Sequence, residues 1–251
     1  RWVTLVSALL ILLAMLPFII AGFITSNYDD SQFMGILHRH NEGAANLSHM
    51  MEGSRGELSI RYLHTPEPQR GMLLEPLYAL LGQLARATQL EPLVVFHLAR
   101  IGAALIMYLS LYSLAANIWT RVRARRAFFV FATMGGGLGW MFAPLAEETH
   151  FIDLLTSGVF PYQATLYSVS VTLAIAALAL LAGAIISALK VGQMEHPTVT
   201  NEGITVFLLG LFIAIAYPLA LVPAMIAFFG LILAHMLTNR KVVARDFWWM
   251  L

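Results

Sequence analysis

Apolar residues run along this chain in long blocks, separated by shorter polar stretches, and the blocks rather than any short periodicity set its elements. A helix crosses a hydrocarbon core of about 30 Å when about 20 apolar residues each rise about 1.5 Å. Residues 2–23 satisfy this. Their apolar run exceeds the roughly 7–15 residues of a signal-peptide core, so they read as a membrane anchor. Further spans are expected at 93–119, 128–145 and 167–189. The third is interrupted by Gly135, Gly136, Gly137 and Gly139, where missing side chains permit close backbone approach or local unwinding. The fourth carries Ala, Ser and Gly on several faces, which suits close helix packing. The last apolar block, 204–236, is too long for one ordinary span and is broken at Tyr217-Pro218 and Pro223. Two short helices, 204–216 and 220–236, joined by a turn, are therefore expected. The fold class is an all-α integral membrane protein of about six transmembrane helices, forming a single polytopic domain over 1–251.

Between the first two spans lies a loop, 24–92, of about 70 residues, where bundle connections usually take about 2–8. Its aromatics, leucines and scattered single charges, without a Ser/Gly/Pro tract, predict order. Phe33, Met34, Ile36 and Leu37 follow Ser26–Ser31 at helical spacing and predict an amphipathic helix on the membrane surface. A second surface helix is predicted from the stripe Leu73, Leu74, Leu77, Leu80, Leu81 and Leu84, opposed by Gln83 and Arg86, before Glu91-Pro92 opens the next span.

Composition confirms the solvent and excludes some chemistry. The chain is 59% hydrophobic and 12% charged, against about 25% charged in a soluble domain, with a mean hydropathy of +0.75. Absence of cysteine rules out disulfides and thiolate metal sites. The net charge of +1 becomes informative once divided by location. With six spans, one side holds Arg1, Arg121, Arg123, Arg125, Arg126, Lys190, Arg240, Lys241 and Arg245 against only Glu195, Glu202 and Asp246. The other side holds six arginines against eleven acids. The positive-inside bias therefore puts both ends of the chain on the cytoplasmic side and loop 24–92 on the opposite side. The start at Arg1, and the stop at Trp248-Trp249-Met250-Leu251, which resembles the opening of another apolar segment, suggest part of a longer chain.

Candidate chemistry gathers on the non-cytoplasmic side. Asp29 and Asp30 follow the first span directly. They can cap a helix N-terminus, or act as a general base or metal ligand for a substrate arriving from the membrane. Glu147, Glu148 and Asp153 form a second acidic cluster on the same side, either simply solvated or convergent with the first. Arg61, Arg70 and Arg86 can hold a phosphate bidentately or pair with the loop's own acids. Arg100, one turn from His97 inside the second span, either snorkels or forms a pocket wall. Among the loop histidines 38, 40, 49 and 64, His38 and His40 are the metal candidates, but their spacing alone falls short of a zinc pattern. Gly135–Gly139 lacks the Lys-Ser/Thr of a phosphate loop, and neither nucleotide nor nucleic acid is an expected partner.

This order of features resembles the amino-terminal portion of GT-C superfamily glycosyltransferases, which use polyprenyl-phosphate-linked sugars. In that family a first span leads into a large external loop with an acidic motif and membrane-surface helices, and Tyr28-Asp29-Asp30 occupies that place. Glu147-Glu148 after the third span and the break at Tyr217-Pro218 extend the likeness. So do Thr65-Pro66-Glu67-Pro68-Gln69, Gly137-Leu138-Gly139-Trp140 and Phe160-Pro161-Tyr162-Gln163, which look like segments of bacterial members. The resemblance implies an inverting transferase in a bacterial plasma membrane, with Asp29 or Asp30 as base and Arg61, Arg70 and Arg100 as candidates for the donor phosphate. It leaves room for a divalent metal. Complete members usually have more spans than this chain. The competing expectation is a non-catalytic subunit that docks partners of a membrane complex through the loop. A transporter ranks behind both, because the spans hold almost no charge besides Arg100 and no internal repeat.

Overall fold

The computed structural model describes residues 1–26, 33–37, 39–59, 68, 71, 76–136, 157–191 and 200–239. Among these residues the chain is helical and has no strand. The helices are α1 (Trp2–Thr25), α2 (His40–Ser54), α3 (Pro76–Thr88), α4 (Pro92–Ile118), α5 (Val122–Met134), α6 (Pro161–Tyr167), α7 (Val169–Val191), α8 (Thr200–Ala216) and α9 (Leu221–Asn239). Of the described helices α1, α4 and α7 are long and apolar enough to cross a membrane.

Helix α1 shows how an element that is apolar all round chooses a face. Only Ser7, Leu10, Ala14, Met15 and Phe18 are buried, a stripe at three- and four-residue spacing. Leu5, Leu9, Leu12, Leu16, Ile19 and Phe23 stay exposed on the remaining surface. So much uncovered apolar area suits hydrocarbon rather than water. The stripe lies along α4, with Phe18 beside His97 near one end and Leu10 clustered with Tyr108, Leu111 and Phe129 toward the other. α1 and α4 therefore run antiparallel.

Helix α4 is the hub, in contact with α1, α3, α5, α6 and α7. It lies most extensively against α7, where Ala176 and Ala179 are buried with Ala104 and Tyr108 and their small side chains bring the two backbones close, while Ala174 and Ala177 pack on another face with Ile213 of α8. Val169 shares a cluster with Val95 and Phe96, while Asn117 Nδ2 donates to the Gly183 carbonyl at 3.4 Å. The start of α7 thus lies by the start of α4, and the two are parallel. The short turn at 119–121 returns the chain as α5, whose Phe129 enters the α1–α4 core.

Several expectations change. Residues 33–37 are not helical: Gly35 adopts φ +77 and Arg39 φ +52, two left-handed positions that interrupt a right-handed helix. Among the described residues the first helix of the loop is instead α2, from His40. The second matches α3, and its leucine stripe is divided: Leu77 and Leu81 pack partly against the core, Leu80 and Leu84 are exposed as on a helix lying on a membrane, and Leu73 and Leu74 lie outside the described residues. Tyr78, Ala79, Gly82 and Ala85 are buried. Helix α5 starts at Val122 rather than Phe128, taking Arg123, Arg125 and Arg126 into its first turns, since arginine is a good helix former. It stops at Gly135 after 13 residues, a rise of about 20 Å; residues 137–145 of that expected span lie outside the described residues. The turn at Pro218–Ala220 separates α8 from α9 as expected. α8 packs along α7, while α9 touches that turn and α8.

Candidate functional site

The span expected at 167–189 is broken at its start, and the break is the most polar place in the described interior. Pro161 opens α6, where its missing N–H costs nothing. Ser168 leaves helical geometry at φ −134 and ψ 127, and α7 begins at the next residue. The last helical bond of α6 runs from Ser168 N to the Ala164 carbonyl at 3.1 Å. The next carbonyl, of Thr165, would have bonded residue 169 in a continuous helix, and the break leaves it without that partner.

Arg100 fills the gap. Its Nε and Nη2 donate to the Thr165 carbonyl oxygen at 3.1 and 2.8 Å. The cation thus meets the negative end of the α6 dipole and satisfies an orphan acceptor. Nη1 lies 3.2 Å from His97 Nδ1. Because a guanidinium only donates, His97 Nδ1 is the acceptor and its ring proton sits on Nε2. Phe18 covers the guanidinium carbon at 4.1 Å and Phe96 flanks it at 5.8 Å, contacts that favour a desolvated cation. Arg100 is 1% exposed.

The other side of the break is held from the loop. Ser168 Oγ accepts from Val171 N at 3.2 Å and so caps α7. Tyr78 of α3 brings its hydroxyl within 3.3 Å of both Ser168 Oγ and Ser170 Oγ. Thr172 Oγ1 donates to the Ser168 carbonyl at 2.6 Å. Within α6 itself Gln163 is 4% exposed, and its Oε1 accepts no hydrogen bond among the described residues. A buried acceptor left alone costs about 1–3 kcal/mol, which suits a position reserved for water or a polar ligand.

Above this break sits the α2–α3 pair. A Cβ on Gly53 would overlap the Ala79 carbonyl, and one on Gly82 would overlap the Met50 carbonyl, so each helix presents a glycine to the other's backbone. His49 and Glu52, one turn apart on α2, are both buried and engaged. A shallow recess of about 320 Å³ at the corner of α2, α3 and α4 is lined by Ser54, Arg86, Gln89 and Glu91, among others.

Of the residues singled out from the sequence, Arg100 joins this centre, with its nitrogens bound to the protein's own groups. His40 is exposed at the start of α2. Asp29, Asp30, His38, Arg61, Arg70, Glu147, Glu148 and Asp153 lie outside the described residues. Among the described residues no three His, Asp or Glu side chains come together as metal ligands would. Sequence reasoning passed over Thr165, Ser168, Ser170 and Tyr78. The usable signal was Pro161 ahead of a polar run, Gln163, Thr165, Ser168 and Ser170, inside an otherwise apolar stretch. No protein-family model, curated protein or solved structure matches this chain.

Proposed function

We propose that this chain is part of an integral membrane glycosyltransferase that moves a sugar from a polyprenyl-phosphate donor to an acceptor at the non-cytoplasmic face. The observation that carries the reading is the organisation of the first loop. Its α2–α3 pair is closely packed and tied through Tyr78 to the broken start of α7. A lipid-linked donor reaches an enzyme at the membrane boundary, and a rigid surface layer beside the span ends is what such chemistry requires.

In this reading the α2–α3 end of the bundle is non-cytoplasmic, and the end bearing Arg121–Arg126 is cytoplasmic. Asp29 or Asp30 takes the proton of an acceptor hydroxyl as its oxygen bonds to the sugar's anomeric carbon. The carbon–oxygen bond to phosphate breaks, the configuration inverts and polyprenyl phosphate leaves with the electron pair. Arg61 and Arg70 hold that phosphate, and Glu147, Glu148 and Asp153 supply further carboxylates, with a divalent metal as an option for either acidic cluster.

The test is transfer from a radiolabelled polyprenyl-phosphate sugar in membranes containing wild-type protein or the D29N/D30N double variant. Activity in the wild type and its loss in the variant, at equal expression and thermal stability, are expected. Retained transfer in the variant removes the acids from the mechanism. No transfer in the wild type, together with stable co-purification of other membrane chains, replaces the enzyme by a docking subunit.

A further inference from the structure

The turn between α4 and α5 gathers Arg121, Arg123, Arg125 and Arg126 at the end of the bundle opposite α2 and α3. Two of them are fixed by partners on other elements. The Arg126 guanidinium carbon lies 5.0 Å from the Trp2 ring of α1, and Arg125 Nε donates to the Trp119 carbonyl at 2.6 Å. Trp119 in turn meets Phe128 with 5.1 Å between ring centroids. Arg121, Arg123 and Arg126 are exposed.

Among the described residues no carboxylate pairs with these cations. The sequence contains no Asp or Glu from residue 1 to 28 or from 92 to 146. Among the described residues the ion pair found is Arg39–Glu42, beside α2. Four guanidinium groups within six residues repel one another, and the repulsion is relieved by an anion. Trp2 and Trp119 place amphipathic rings at the ends of two apolar helices, the depth at which lipid headgroups lie.

We propose that this end of α1, α4 and α5 binds the headgroup of an anionic glycerophospholipid. Arg123 and Arg126, three residues apart and so on one face of α5, hold the phosphate, since guanidinium meets phosphate oxygens bidentately. Arg121 adds charge at the rim, and Trp2 lies against the glycerol region. The site rests on α1, α4 and α7 crossing a membrane and is independent of glycosyl transfer.

Native mass spectrometry of the whole chain, released from detergent containing equal phosphatidylglycerol and phosphatidylcholine, tests this. Wild type is expected to retain phosphatidylglycerol in preference. A juxtamembrane cation near an anionic surface is worth about fivefold in affinity, so R123Q/R126Q should weaken that adduct about 25-fold. Arg55→Gln, at the opposite end, should leave it unchanged. Equal retention of the two lipids by wild type, or an unaltered adduct in the double variant, overturns the site and leaves the arginines as an orientation signal only. If the double variant does not fold, the exposed Arg121→Gln substitution carries the comparison at about fivefold, and the wild-type preference decides by itself.

Discussion

Replacing Arg100 by methionine tests whether α6 is held by the cation that caps it. The substitution keeps much of the apolar stem and removes every donor. The Thr165 carbonyl loses bonds at 3.1 and 2.8 Å and is left buried without them. An orphaned acceptor costs about 1–3 kcal/mol, and hydrogen bonds to charged groups contribute about 1.5–3 kcal/mol each. Loss of the cation over Phe18, at 4.1 Å, removes up to about 2 kcal/mol more. Against these stands the desolvation of a guanidinium at 1% exposure, several kcal/mol that the variant no longer carries. The net expectation is destabilisation by about 2–4 kcal/mol, a fall in thermal midpoint of about 4–16 °C for a domain of this size. Arg100→Lys keeps the charge but replaces the planar fork with a single ammonium, and should fall between. Tryptophan fluorescence during a thermal ramp in detergent reads the series. A methionine variant as stable as wild type refutes the cap.

Two further outcomes follow from the same contacts. Gly82→Ala places a methyl against the Met50 carbonyl, and overpacking of this kind costs about 1–3 kcal/mol, so limited proteolysis should cut the first loop faster than in wild type; equal cutting rates would mean that the α2–α3 contact is not close. Because the chain has no cysteine, single replacements report sidedness without background. Thr120→Cys and Gln89→Cys, at opposite ends of α4, should react with an impermeant maleimide from opposite faces of oriented vesicles, and labelling of both from one face would show that α4 does not cross.

The loop is where reading residues and reading contacts part. Its length and mixed composition were enough to expect ordered helices, and α3 was visible as a leucine repeat. Its buried face was not, because Leu80 and Leu84 are free to face lipid, while Gly82 and Ala85 are what α2 can approach. α2 itself lacked a signal: His40–Ser54 is nearly neutral in hydropathy, and its glycines argue against a helix until a partner backbone comes near. The same holds for the site, since most of the acids and arginines singled out from the sequence fall outside the described residues.

Local composition by itself determined the solvent, the three long apolar helices and the charge difference between the two ends, because burial in hydrocarbon and the bias of arginine depend on single residues summed over a stretch. The break at Ser168, the cap from Arg100 and the reach of Tyr78 were decided by tertiary structure alone. Those depend on one carbonyl losing its helical partner at a place where a residue 65 positions away can supply another, and no property of either segment taken alone contains that coincidence.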